Sequence, residues 1–260
     1  MQSGMAKGVL LDIAGVLYDG DHQIDGAARA VSQLREAGLP IRFLTNSTRK
    51  PKRLIFEKLA AFEITNDKGE IVTPAEAACA WLRQEGYSPH LLVHPDLTED
   101  FSETPSGGPV AVVVGDAGRH FTYERMNAAF RCLMDGAPLI ALAANRVFRD
   151  SDGELSMDAG AFVKALEYSS SKSAFLLGKP SPDFFLAGAR SMNLELSEVV
   201  MIGDDAESDI SGALVAGAAA GILTRTGKYH AGDENRFERR PTRLVANVAE
   251  AVDTVLAKVQ

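Results

Sequence analysis

Four polar clusters in the chain each stand directly after a short apolar run. Asp12 follows Val9-Leu10-Leu11, with Gly15 three residues further on. Thr45-Asn46-Ser47 follows Ile41-Arg42-Phe43-Leu44, and Lys179 follows Phe175-Leu176-Leu177-Gly178. Asp204-Asp205, with Asp209 beyond, follows Val199-Val200-Met201-Ile202-Gly203. Strands buried on both faces read as such runs, and in open α/β sheets their carboxyl ends converge where ligands bind. The inventory is a carboxylate, a hydroxyl and amide cluster, an ammonium and further carboxylates. It suits magnesium-assisted phosphoryl transfer. Asp12 and Asp204 can offer hard oxygen ligands to one Mg2+. The free oxygen of Asp12 can attack phosphorus and form an aspartyl-phosphate, splitting one hard step into two. Lys179 would neutralise the nucleophile and the incoming oxygens. Thr45 and the amides after it, read as a helix start, would bind the remaining oxygens.

The elements that must carry these residues alternate between strand and helix. A strand is expected over 8–14 and a helix over 25–37, capped by Asp25 and stopped by Gly38. A strand at 40–45 and a helix from Pro51 to about Phe62 follow. This order is the grammar of a doubly wound parallel sheet, a Rossmann-like α/β core. The middle of the chain forms a second α/β unit, with helices expected at 73–84, 122–135 and 158–169 and strands at 91–93, 110–114 and 138–144. Ser169-Ser170-Ser171-Lys172-Ser173 reads as the connector back to the core. The expected division is therefore core 1–72, inserted unit 73–173 and core 174–260. The returning part should hold strands at 175–177, 199–202 and 219–224. Its helices should run to Met192, over 207–215 and over 247–258.

Bulk properties narrow the partners. The 260 residues carry 27 basic and 35 acidic side chains, a net charge of −8. That balance argues against nucleic acid and anionic membrane as partners. A phosphorylated small molecule remains compatible, because one metal ion and a few amides can set the local sign. No apolar run approaches a membrane span and no signal-peptide pattern is visible, so a cytoplasmic location is expected. Met1-Gln2-Ser3-Gly4, ahead of Met5, reads as an expression leftover. Cys79 and Cys132 lie in apolar helical patterns and are expected to be inert buried thiols. The five histidines have no metal-ligand spacing, so zinc is not expected.

Together these motifs resemble the haloacid dehalogenase-like hydrolases. That superfamily carries Asp-x-Asp-Gly, a strand ending in Ser or Thr, a Lys, and Gly-Asp-x-x-x-x-Asp. Here they stand as Asp12-Ile13-Ala14-Gly15, Thr45-Asn46, Lys179 and Gly203-Asp204 through Asp209. Leu44-Thr45-Asn46-Ser47, Gly178-Lys179-Pro180-Ser181-Pro182 and the large insertion are similar to subfamily IIA, the NagD-like branch with an α/β cap. Within it, Leu11 to Tyr18 and Met157 to Tyr168 resemble the phospholysine phosphohistidine inorganic pyrophosphate phosphatases. The resemblance implies that Asp12, the Ala14 carbonyl and Asp204 hold magnesium. It also implies that Asp209 orients Lys179 or metal-bound water, and that Asn46 and Ser47 line the phosphate pocket. A homodimer through the cap is a further implication. Asp205 reads as a further ligand or a solvated turn residue, the turn being preferred.

Ala14 departs from the pattern. Most of the superfamily has a second Asp there, the acid that protonates the leaving oxygen and the base that later activates water. A methyl group can do neither, and such catalysis contributes about a hundred- to ten-thousand-fold. Pyrophosphate and N-phosphorylated compounds, which need least protonation help, would suffer least. The alternative is a catalytically weakened protein that binds a phosphorylated ligand and regulates. Gly115-Asp116-Ala117-Gly118 lacks the Gly-x-Gly-x-x-Gly fingerprint and reads as a turn, which sets a nucleotide oxidoreductase aside. Asn145 and Arg146, at the end of an inserted-unit strand, read equally as a turn or as leaving-group contacts.

Overall fold

The computed structural model describes residues 6–65, 67–149 and 154–257. The leading Met1-Gln2-Ser3-Gly4 lies outside them. The chain forms two compact units: Met1–Thr45, Phe56–Val72 and Lys179–Gln260 make the first, Asn46–Ile55 and Thr73–Gly178 the second.

The first unit is built on a six-stranded parallel sheet. Its order is Arg243–Val245, Ala220–Thr224, Val199–Gly203, Gly8–Asp12, Ile41–Leu44, Ile71–Val72. Gly8–Asp12 and Val199–Gly203 are buried at every residue, as their continuous apolar runs require. The chain leaves Gly8–Asp12 toward Ile41–Leu44 on one side, and its last third builds the other side. The strand order therefore reverses at Gly8–Asp12, and ligands of open α/β sheets bind beyond the carboxyl end of such a point.

Helices close this sheet with one apolar stripe each. Ala27–Glu36 buries Ala27, Ala30, Val31 and Leu34, and Val248–Leu256 buries Val248, Ala251, Val252 and Val255. Both sets follow the i, i+3, i+4, i+7 rule, and the two helices pack together. The first helix starts at Gly26, a left-handed residue without a side-chain cap, and not at Asp25. Chain reversal after Ile24 sets that boundary, since the Ala27 N–H donates to the Ile24 carbonyl at 3.0 Å.

The second unit has a four-stranded parallel sheet ordered Phe175–Leu176, Leu139–Ala141, Val110–Val114, Ser88–Leu92, with an antiparallel hairpin of Val147–Arg149 and Leu155–Met157. Phe175–Leu176 thus pairs in this sheet and does not open the returning core. Leu177 is buried in the same cluster as Cys79, Val113 and Leu142, so the apolar run stays in this unit up to Gly178. Apolar pattern shows a strand but not which sheet accepts it. Thr73 opens the helix Pro74–Glu85 by accepting from the Glu76 N–H at 3.2 Å. Among the described residues no helix is long and apolar enough to cross a membrane.

Candidate active site

Asp12 is the last residue of the strand Gly8–Asp12, and Asp204 follows Gly203 at the end of the neighbouring strand. Parallel pairing alone brings these two carboxylates side by side. Asp209 joins them from the turn after Asp205. The expected helix over 207–215 opens there as a wide turn, Ala206–Ser211, before α-helix over Gly212–Ala216. The turn folds Asp209 back, so that its Oδ2 accepts from the Asp205 N–H at 3.2 Å. Ligand oxygens of Asp12, Asp204 and Asp209 all lie within 4.8 Å of one another, and all three residues are buried.

Lys179 supplies the balancing charge. Its Nζ ion-pairs with Asp12 and, at 2.6 Å, with Asp209, and its side chain is 3% exposed. Burial lowers the ammonium pKa, but Asp12 and Asp209 outweigh it and hold Lys179 protonated above the usual lysine range. Three buried carboxylates thus share the site with one buried ammonium, which pairs with two of them. Asp204 is accordingly pushed well above the normal carboxylate range, by burial first and then by Asp12 and Asp209. Burial pushes Asp209 up to about 7, with Lys179 opposing and Asp12 and Asp205 adding. Excess negative charge on buried oxygen donors is what a divalent cation relieves, and the residues present fit one.

Two glycines shape the ground around Asp204. Gly15 (φ 83°) and Gly227 (φ 56°) adopt left-handed backbone, and a Cβ on either would run into the Asp204 carboxylate. Next to Gly227, the Lys228 N–H donates to Asp204 Oδ2 at 2.7 Å. Lys228 is a site residue that the sequence motifs do not single out. The signal available was the one used elsewhere: a polar residue soon after a buried strand, here Ala220–Thr224.

The other expected residues fall as follows. Thr45 is buried, one residue beyond Leu44, which is register partner to Asp12. Asn46 and Ser47 are partly exposed and go with the second unit. The helix read at this point starts only at Lys52, so the amides of 46–48 lie in irregular chain and not at a helix N-terminus. Pro51 fixes that later start. Asp205 Oδ1 accepts from the Glu207 and Ser208 N–H groups, both at 3.0 Å, and caps the wide turn; it is not one of the three converging carboxylates. Ala14 is exposed and bridges to Tyr18. Burial and then Asp12 push the Tyr18 hydroxyl up to about 12, which makes it a poor stand-in for a missing acid. In the second unit, Asp116 accepts from the Gly118 N–H at 2.8 Å and ion-pairs with Arg49 at 2.9 Å, while Asn145 and Arg146 give their carbonyls to Gly160 and Asp158.

A parallel sheet that gathers three carboxylates and a buried lysine beyond its central strands defines a class, and comparison with known proteins gives it a name. Residues 9–105 match the haloacid dehalogenase-like hydrolase family model, and residues 176–251 match a HAD-hydrolase-like model. The chain belongs to the haloacid dehalogenase-like hydrolases and is a phosphatase of the NagD-like kind. It is 40% identical to the phospholysine phosphohistidine inorganic pyrophosphate phosphatase of Rattus norvegicus over 256 residues, covering 96% of this chain and 94% of that protein. It is 41% identical over 250 residues to haloacid dehalogenase-like hydrolase domain-containing protein 2 of Homo sapiens, covering 96% of each. Among solved structures, NagD from E. coli K-12 matches with a TM-score of 0.84 at 27% identity, over 95% of this chain and 98% of that one. The 4-nitrophenylphosphatase of Thermotoga maritima matches with a TM-score of 0.87 at 25% identity, over 96% and 97%.

Proposed function

We propose that this phosphatase is magnesium-dependent and works through an aspartyl-phosphate on Asp12. The observation that carries the reading is the convergence of Asp12, Asp204 and Asp209 beside Lys179. Asp12 and Asp204, with the Ala14 carbonyl, would hold Mg2+, which when bound neutralises charge on the phosphoryl oxygens. An Asp12 oxygen bonds to phosphorus as the bond to the leaving group breaks, and the electron pair departs with that group. Water then attacks the same phosphorus, releasing inorganic phosphate and restoring the carboxylate. Lys179 holds the Asp12 carboxylate in place and offsets charge on the entering phosphoryl group, with Asp209 orienting the ammonium. Thr45 is assigned to the phosphoryl oxygens, supported by its place beside Asp12 across the strand pair. Asn46 and Ser47 take the same assignment from their position next to Thr45. The inserted unit acts as the cap of the NagD-like kind, and the exposed Val147, Leu155 and Met157 of its hairpin support a homodimer through it. Two cysteines outside any disulfide support a reducing, cytoplasmic location.

The substrates proposed are small phosphorylated compounds, with pyrophosphate and N-phosphorylated side chains favoured. The relatives' substrate names and the missing acid at Ala14 support this choice. A phosphate-release screen with Mg2+ over sugar phosphates, pyrophosphate and a phosphohistidine analogue, with Asp12→Asn as the blank, tests it. Ala14 also supports a second reading, a weakened relative that binds a phosphorylated ligand and regulates by binding. Phosphate release that disappears in Asp12→Asn decides for catalysis, and binding without release decides for the second reading.

A further inference from the structure

The site has a second ammonium that the roles above do not use. The Lys228 N–H is fixed on Asp204 Oδ2 at 2.7 Å, so its Cα is tied to the site whatever side chain it carries. That side chain is 54% exposed, and its Nζ stands 3.7 Å from Asp205 Oδ2, beyond hydrogen-bond length. Lys179 is the opposite case, held by two carboxylates and closed off from water. Burial lowers the Lys228 pKa, but Asp205, Asp12, Asp204 and Asp209 together outweigh it and keep the group charged. One cation of the site is thus fully engaged, and the other is loosely held at its edge.

We propose that Lys228 is a specificity-determining residue that binds a second anionic group on the leaving side of the substrate. The site would then favour diphosphates such as inorganic pyrophosphate over monoesters whose leaving group carries no phosphate. This rests on the reading of Asp12 as nucleophile. When the phosphorus–oxygen bond breaks, its electron pair goes to the departing phosphate, which takes any proton from water. Ala14 offers no proton for that oxygen, whereas a nearby ammonium stabilises the developing charge without transferring one. The backbone bond to Asp204 survives any side-chain change, which separates this role from a purely structural one.

The test compares kcat/KM for pyrophosphate and for 4-nitrophenyl phosphate, with Mg2+, in the wild-type protein, Lys228→Met and Lys228→Arg. A hydrogen bond to a charged group corresponds to about ten- to a hundredfold. Lys228→Met should therefore lose about tenfold more on pyrophosphate than on 4-nitrophenyl phosphate, and Lys228→Arg should recover most of the difference. Equal losses on both substrates, or no loss on either, would overturn the inference while leaving the Asp12 mechanism standing if Asp12→Asn is silent. Equal phosphate release by the wild type and Asp12→Asn would overturn both.

Discussion

At the scale of single residues, the proposed chemistry turns on Ala14 and Asp12. Ala14 is exposed, so an aspartate there has room to stand. Ala14→Asp should raise kcat on an alkyl phosphate by about a hundredfold, because it restores the acid that an alkoxide leaving group needs. The gain on an N-phosphorylated substrate should be much smaller, since that leaving nitrogen carries its own proton. Equal gains would contradict the role given to Ala14. Cys79 makes a separate point. It is buried, its Sγ donates to the Asp100 carbonyl at 3.3 Å, and burial pushes its thiol up to about 11. A raised thiol pKa keeps the unreactive protonated form through neutral and mildly basic pH. Thiol titration with a coloured disulfide reagent at pH 8 should leave Cys79 unmodified in the folded protein and modify it in denaturant. Fast labelling of the native protein would show that the burial is wrong.

Elements decide whether those residues meet. Strand runs such as Val9-Leu10-Leu11 and Val199-Val200-Met201-Ile202 were legible because burial on both faces leaves an unbroken apolar stretch. The carboxylate at each end was legible for the same reason. The strand Arg243–Val245 was not, because it is three residues long, begins with an exposed arginine and sits at the sheet edge. The sheet that receives Phe175–Leu176 was hidden too, since pairing partners are set by long-range packing. The wide turn at Ala206–Ser211 looked like an ordinary helix, for its spacing fits either period; the turn's width shows only where Asp209 bends back. Sequence also hid the Gly15 and Gly227 approach to Asp204, as it depends on two distant loops meeting. Gly227→Ala tests that approach. Left-handed backbone costs about 1–2 kcal/mol without glycine, and the added methyl would displace Asp204. Thermal melts should fall, and metal affinity should fall with them. An unchanged melt and unchanged affinity would mean that the loop does not hold Asp204.

At the scale of the whole molecule, an acidic chain gathers three buried carboxylates in a site with one buried lysine. In metal-free protein that excess charge is a standing cost to stability, so a bound divalent ion should stabilise the fold by mass action. Differential scanning fluorimetry should show a rise in melting temperature with millimolar Mg2+, and Asp204→Asn should abolish most of it. A full shift in Asp204→Asn would place the ion elsewhere. The exposed hairpin residues carry the assembly prediction. Light scattering should give the mass of a dimer, and Leu155→Glu with Met157→Glu should give the mass of a monomer; a wild-type monomer would remove the dimer from the reading.

The central claim, that Asp12 is the nucleophile, is tested most directly by Mg2+-dependent phosphate release from pyrophosphate in the wild type and in Asp12→Asn, with circular dichroism confirming that both are folded. We expect steady release by the wild type and a loss of about a thousandfold or more in Asp12→Asn, as removal of a covalent nucleophile entails. Release by folded Asp12→Asn at a rate close to the wild type would contradict it.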